Sequence, residues 1–197
     1  MLLARLPKGR VIALDHSKAM LEQASRNLAG QGRRVEFVEA DLGASLPLKV
    51  KVDAVFSTAT FHWVRDHGRL FQNLAAVMRP GAQLVAQCGG KGNLDSVGAV
   101  LEEQGLDWRS WAYHGGESTA TRLANAGFVD VETWLNPEPT TFESRQQLGD
   151  FLATVVLRTF LDSMPEEDRR AFVETVVDGL GRLELDYVRL NITARRG

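Results

Sequence analysis

One cysteine in 197 residues, Cys88, leaves no internal disulfide to form. A chain so poor in thiols suits a reducing compartment, and a cytoplasmic location is the expectation. Cys88 falls in the apolar run LVAQC and reads as a small buried hydrophobe, not a nucleophile. No apolar run is long enough to span a bilayer, and the opening MLLARLPKGR lacks the apolar centre and cleavage site of a signal peptide, so no membrane partner is expected. Basic residues are not in excess: 23 Lys and Arg stand against 25 Asp and Glu, for a formal net charge of −2. The pairs Arg33-Arg34, Arg169-Arg170 and Arg195-Arg196 are short and scattered, which argues against a nucleic-acid surface. The histidines, at His16, His62, His67 and His114, show neither H-x-x-x-H nor Cys/His ligand spacing, so no metal site is expected. Internal repeats and low-complexity segments are also missing.

What is there is ordinary for a globular chain: 44% apolar and 24% charged residues, enough for one domain with a real core. RVIALD is a continuous apolar run ending in Asp15, as in a parallel strand covered on both faces. Ser17 is placed to cap a following helix with Ala19, Met20, Ala24 and Leu28 on one face. RVEFVEAD and KVDAVFSTA read as strands, RLFQNLAAVM as a helix stopped by RPG, and AQLVAQCGG as a further strand. This alternation predicts βαβ units and a mostly parallel sheet. Helices are then expected from about Leu94 and over STATRLANAG, with Gly127 at the helix end. FVDVETWLN alternates as a strand and NPEPT as a turn. One helix is expected from Glu143 to about Ser163, and another to about Leu180 with Pro165 at its first position. LDYVRLNITAR alternates, with Val188, Leu190, Ile192 and Ala194 on one face and Tyr187, Arg189, Asn191 and Thr193 on the other. The domain expectation is one unit over 1–197, with residues from about 143 to 180 as a helical cap.

In an open α/β sheet, ligands bind outside the carboxyl ends of the strands. Asp15 ends one strand, where a carboxylate can accept from both hydroxyls of a ribose. Asp41 ends the next, where it can accept from an adenine amine while the backbone N–H of Leu42 serves a ring nitrogen. STATFHW, Ser57 to Trp63, leaves the third strand straight into a loop. Two acids on adjacent strand ends are suited to adenosine.

Taken in order, VIALDHSKAMLEQA, VEFVEADL, VDAVFSTATFHWV and LAAVMRPGAQLVAQ resemble the second to fifth strands of the class I S-adenosylmethionine-dependent methyltransferases. GGKGN and DYVRLNITARR are similar to the trans-aconitate methyltransferase-like and type 11 branch. The resemblance implies a Rossmann-like α/β fold, mostly parallel, with an antiparallel last strand and a helical insertion. It implies S-adenosyl-L-methionine as cofactor, with Asp15 on the ribose, Asp41 on the adenine amine, and His16, Met20 and Leu42 around them. Ser57, Thr58 and Ala59, continuing to Thr60, would line the methionine end. His62 and Trp63 would face the acceptor, with Trp108, Trp111, Tyr113 and Tyr187 as pocket candidates. Methyl transfer mainly requires positioning and exclusion of water. If the nucleophile must lose a proton, His62 is the candidate base, since an imidazole titrates near neutrality. The acceptor is expected to be a small molecule, with carboxylate, hydroxyl and amine all open.

The family's first strand and its G-x-G-x-G loop are missing. The glycines at Gly89 to Gly92 follow the fifth strand and cannot replace them. Without a central first strand, two sheet edges would be left unpaired. A truncated N-terminus is the expectation, and a second copy pairing through the bare edges is the expected partner beside the acceptor. Two further readings compete with an active methyltransferase. One is an inactive remnant serving as an interaction module; the other is a nucleotide-dependent oxidoreductase, which needs phosphate-binding glycines that the chain lacks.

Overall fold

The computed structural model describes residues 2–108 and 111–197. A short helix α1 (Leu2–Arg5) leads into β1 (Val11–Asp15), α2 (Lys18–Asn27) and β2 (Val35–Glu39). Ser17 caps α2 as its sequence position requires: its hydroxyl accepts from the Met20 N–H at 3.4 Å. β1 and β2 pair in parallel, from Val11 opposite Val35 to Asp15 opposite Glu39. Arg34 ties α1 beneath this pair by donating to the carbonyls of Leu3, Leu6 and Gly9. The packing is thin, since every residue of β1 is half-buried and no residue of α2 is buried.

The chain continues through β3 (Val52–Thr58), a 3-10 turn at Phe61–Trp63, α3 (His67–Val77), β4 (Met78–Gly89), α4 (Asp95–Glu103), α5 (Gly116–Asn125) and β5 (Phe128–Pro137). It closes with β6 (Thr140–Thr141), α6 (Arg145–Phe151), α7 (Arg158–Asp162), α8 (Glu166–Leu180), β7 (Glu184–Leu185) and β8 (Val188–Arg196). Strands β3, β4, β8 and β5 form one sheet in that order. β3 runs parallel to β4, while β8 runs antiparallel to both β4 and β5. Three strands thus point one way and β8 against them, which is the mostly parallel α/β sheet with an antiparallel final strand that the sequence predicts. The alternation in β8 carries through: Leu190, Ile192 and Ala194 are buried.

Two apolar clusters hold the larger part together. The first joins Leu70, Phe71 and Leu74 of α3 to Leu84 and Ala86 of β4 and to Leu190 and Ile192 of β8. The second lies among α4, α6, α8 and β7, around Val97, Leu148, Leu152, Val176 and Leu185. Side chains buried this fully contribute about 1.5–3 kcal/mol each.

Three local expectations change. The helix predicted from Glu143 to Ser163 is broken: a π segment, Leu152–Val156, separates α6 from α7, with the Leu157 N–H bonded to the Leu152 carbonyl at 2.7 Å. Pro165 stands one place before α8, its ψ of 142° still extended, so Glu166 begins the helix. Strand β4 starts at Met78, before the RPG turn, because Met78 pairs with Val52.

The sheet is not closed over its gap. Among the described residues β1–β2 and β3–β4–β8–β5 are separate sheets, so β1 and β3 each keep one edge without a ladder. Along β3, Ala54, Phe56 and Thr58 are exposed, Phe56 to 58%, where a covered central strand would bury them.

Candidate functional site

Two groups of residues collect at the carboxyl ends of the parallel strands. The first is acidic. Asp15 ends β1, and its carboxylate accepts from the Ser17 N–H at 2.8 Å through Oδ1. His16, largely exposed, places Nδ1 3.5 Å from the same oxygen. Asp41 follows β2 and accepts from the Gly43 N–H at 2.8 Å, again through Oδ1. The Asp15 carbonyl receives the Ala40 N–H at 3.0 Å, which sets the two acids on adjacent strand ends. In each acid one oxygen is fixed by a tight turn, and among the described residues the other has no partner. That leaves each an acceptor for a hydroxyl or an amine, so the donor chemistry fits an adenosine. The Leu42 carbonyl is held by the Asn73 side-chain amide at 2.9 Å, and Met20 on α2 is 60% exposed.

The next strand end is a strained loop. Ser57 and Thr58 finish β3, and Ala59 donates its N–H to the Gln87 carbonyl at 2.8 Å. Ala59 takes a φ of 53°, a left-handed conformation that costs an L-residue about 1–2 kcal/mol. Thr60 turns its hydroxyl back onto the Thr58 carbonyl at 2.9 Å. Such strain is stored where a loop must present its backbone in one particular way.

The second group is aromatic. His62 and Trp63 lie in the 3-10 turn, their rings 5.2 Å apart. The Ala112 N–H binds the His62 carbonyl at 2.8 Å and brings Trp111 and Tyr113 alongside. Ring contacts then run from Trp63 to Trp111 (5.8 Å), Trp111 to Tyr113 (5.9 Å) and Tyr113 to His62 (5.9 Å). Trp108 joins Trp111 and Tyr113 at 6.3 and 6.2 Å. Glycines make the room: a Cβ on Gly89 would come within 2.5 Å of Tyr113, and one on Gly98 within 2.2 Å of Trp108. Tyr187, buried, contacts Phe151 and joins the group through Arg189, whose guanidinium carbon lies 4.3 Å from its ring centre.

Electrostatics change the expectation for His62. Its Nδ1 accepts the Gly89 N–H at 3.2 Å, so the neutral ring carries its proton on Nε2. Burial, aided by the Arg189 charge, lowers its pKa to about 4 instead of the near-neutral value expected of an imidazole. The other groups here are equally hard to use as bases. Burial pushes the Cys88 thiol up to about 12 and raises the Tyr113 phenol beyond its ordinary value. His67, its ring 4.2 Å from that of His114, is lowered to about 4 by burial and by His114. Among the described residues no cluster of three or more His, Cys, Asp or Glu side chains is arranged to hold a metal. No helix is long and apolar enough to cross a membrane. Two open surface depressions, one beside Ala153, Leu161 and Arg169 and one at Glu102 to Asp107, lie away from the acids and from His62.

Sequence reasoning passed over Arg189. The signal was present in the polar row of the last strand, where Arg189 stands between Tyr187 and Asn191. Its significance depends on register: β8 runs against β4, so Arg189 sits opposite Gly89 at the ligand end of β4.

Known proteins similar to this chain are methyltransferases. A family model described as a methyltransferase domain matches residues 1–81. The trans-aconitate 2-methyltransferase of Acidovorax sp. (strain JS42) is 30% identical over 192 residues, covering 92% of this chain and 72% of that protein. The enzyme of that name from Klebsiella pneumoniae (strain 342) is 28% identical over 209 residues, covering 100% of this chain and 80% of its own. The crystal structure of the YcgJ protein of Bacillus subtilis superposes with a TM-score of 0.67 at 13% identity, over 100% of this chain and 87% of that one, which is a likeness of fold.

Proposed function

This chain belongs to the S-adenosylmethionine-dependent methyltransferases, and on that premise we propose that it methylates a small carboxylic acid bound against the Trp63–Trp111–Tyr113 wall. The carrying observation is that the titratable side chains within that wall among the described residues, His62, Cys88 and Tyr113, are all poor bases. His62 is neutral with Nδ1 already filled, and burial keeps Cys88 and Tyr113 protonated. An amine or hydroxyl acceptor has a proton to lose, whereas a carboxylate is already ionised at neutral pH. The names of the relatives, trans-aconitate methyltransferases, point to the same class of acceptor.

When bound, the cofactor would supply an activated methyl group on a sulfonium for transfer to the acceptor carboxylate. The protein's part is placement. Asp15 and Asp41 would take the ribose and the adenine amine on their unpartnered oxygens, with His16, Met20 and Leu42 around them. Ser57 to Thr60 would line the far end. His62 would offer its Nε2–H to the acceptor, and Trp63, Trp108, Trp111, Tyr113 and Tyr187 would exclude water. Helices α6 to α8 serve as the cap over this side.

The test is incubation with methyl-tritiated S-adenosylmethionine and small acids, trans-aconitate first. A base-labile tritiated ester is the expected product. Label found only on amines or alcohols would contradict the carboxylic-acid acceptor.

The bare edges of β1 and β3 favour a second reading, an interaction module that pairs a strand with a second copy and binds no cofactor. It requires sedimentation as a dimer together with no uptake of S-adenosylhomocysteine.

A further inference from the structure

The arginines of this chain are employed in different ways. Arg34 donates to three backbone carbonyls, and Arg196 to the carbonyls of Ala75, Gly127 and Gly197. These guanidiniums have structural partners. Arg189 does not. Its side chain is 27% exposed, and among the described residues its guanidinium makes no hydrogen bond. Its one ion-pair partner, Glu138, stays at 3.6 Å from Nε, too far for a hydrogen bond. The Tyr187 ring holds the guanidinium plane from one side. A part-buried guanidinium that makes no hydrogen bond to the protein keeps its N–H donors open to the oxygens of a ligand.

Its position identifies the ligand's side of the molecule. Arg189 stands opposite Gly89, the residue whose N–H holds His62. Its charge acts on His62, Cys88, Tyr113 and Tyr187. A second unfilled donor belongs to the same wall: the indole N–H of Trp111, a residue only 7% exposed, has no acceptor among the described residues. A guanidinium fork matches the two oxygens of a carboxylate, and the indole N–H is a further donor in the same wall.

We propose that Arg189 is the specificity-determining anchor of the acceptor: it binds a carboxylate of a small polycarboxylic acid, other than the one methylated, with the Trp111 indole N–H as second donor. This rests on the carboxylic-acid acceptor proposed above. Glu138 competes for the same guanidinium and limits the affinity.

The experiment titrates trans-aconitate, and separately its uncharged trimethyl ester, into the full chain with S-adenosylhomocysteine present. Tryptophan fluorescence reports on the wall, and S-adenosylhomocysteine affinity is measured independently by calorimetry. The acid is expected to bind saturably and the ester not to compete. Arg189→Met is expected to weaken the acid by about 10- to 100-fold, the range for removing one partner of a charge-assisted bond, with cofactor affinity unchanged within about twofold. Arg189→Lys should fall between, since it keeps charge without the fork. Trp111→Phe, which keeps the ring, should cost about fivefold. Glu138→Gln guards against a folding artefact, because it is expected to tighten the acid severalfold. Equal affinity in wild type and Arg189→Met, or no tightening in Glu138→Gln, overturns the assignment while leaving the acceptor class standing. A wild-type chain with no saturable response to the acid overturns the acceptor class and the assignment together.

Discussion

In β1 every residue is half-buried and α2 buries nothing, whereas β4 and β8 alternate buried residues along their length and share fully buried Leu84, Leu190 and Ile192. On the function proposed above, both regions would serve the same reaction. The β1–β2 pair carries the acids suited to the cofactor, and the four-stranded sheet carries the aromatic wall suited to the acceptor. They differ in what completes them. The wall is finished within the described chain: glycines at 89 and 98 admit its rings, and the Ala112 N–H locks its loop to His62. The acids stand on a two-stranded sheet whose two outer edges carry no ladder among the described residues, a construction that is marginal without further packing. On that reading, acceptor recognition would be built into the fold, while cofactor recognition would depend on its least supported part.

The largest expected difference is in local opening. Amide hydrogen exchange should show β1 and β2 protected less than β4 and β8 by about 10³-fold, because few buried contacts must break to open the pair. Equal protection would erase the distinction. Mutations should repeat it on a smaller scale. Leu190→Ala is expected to cost about 3–5 kcal/mol in urea unfolding, and the half-buried Leu14→Ala about 1 kcal/mol.

Acid should act through the acceptor side. His62 and His67 are lowered from 6.5 to about 4 by burial. Between those values the unfolded chain takes up protons that the folded chain refuses. Stability is therefore full above pH 6.5 and falls as the pH drops to 4, by up to about 3 kcal/mol for each ring. Urea midpoints measured from pH 7.5 to 4.5 should show this slope, and His67→Gln should flatten it. The smallest effect concerns the strained loop. Ala59→Gly relieves a φ of 53° and is expected to raise stability by about 0.5 kcal/mol or to leave it unchanged, read as melting temperature.

The parts legible in the sequence were those set by local pattern. Apolar runs ending in acids marked β1 and β2, and period-two alternation marked β8 with its buried row of Leu190, Ile192 and Ala194. The adjacent acids Asp15 and Asp41 followed from the same pattern. The break at Leu152–Val156 was hidden, because an apolar stripe reads the same in α and π turns. Arg189 was hidden for another reason. Its setting comes from register with Gly89 and from a ring stacked two residues away, and neither shows in a linear string. The protonation of His62 was beyond the sequence too, since its proton position is fixed by a backbone N–H from 27 residues along the chain.

The central claim is that Asp15 and its neighbours hold the cofactor on a weakly packed strand pair. Calorimetric titration of the chain with S-adenosylhomocysteine tests it most directly, with Asp15→Asn and the exposed Asp53→Asn run alongside. Saturable one-to-one binding, weakened at least tenfold by Asp15→Asn and unaltered by Asp53→Asn, is the predicted result. No saturable heat, or equal affinity in all three proteins, would contradict it.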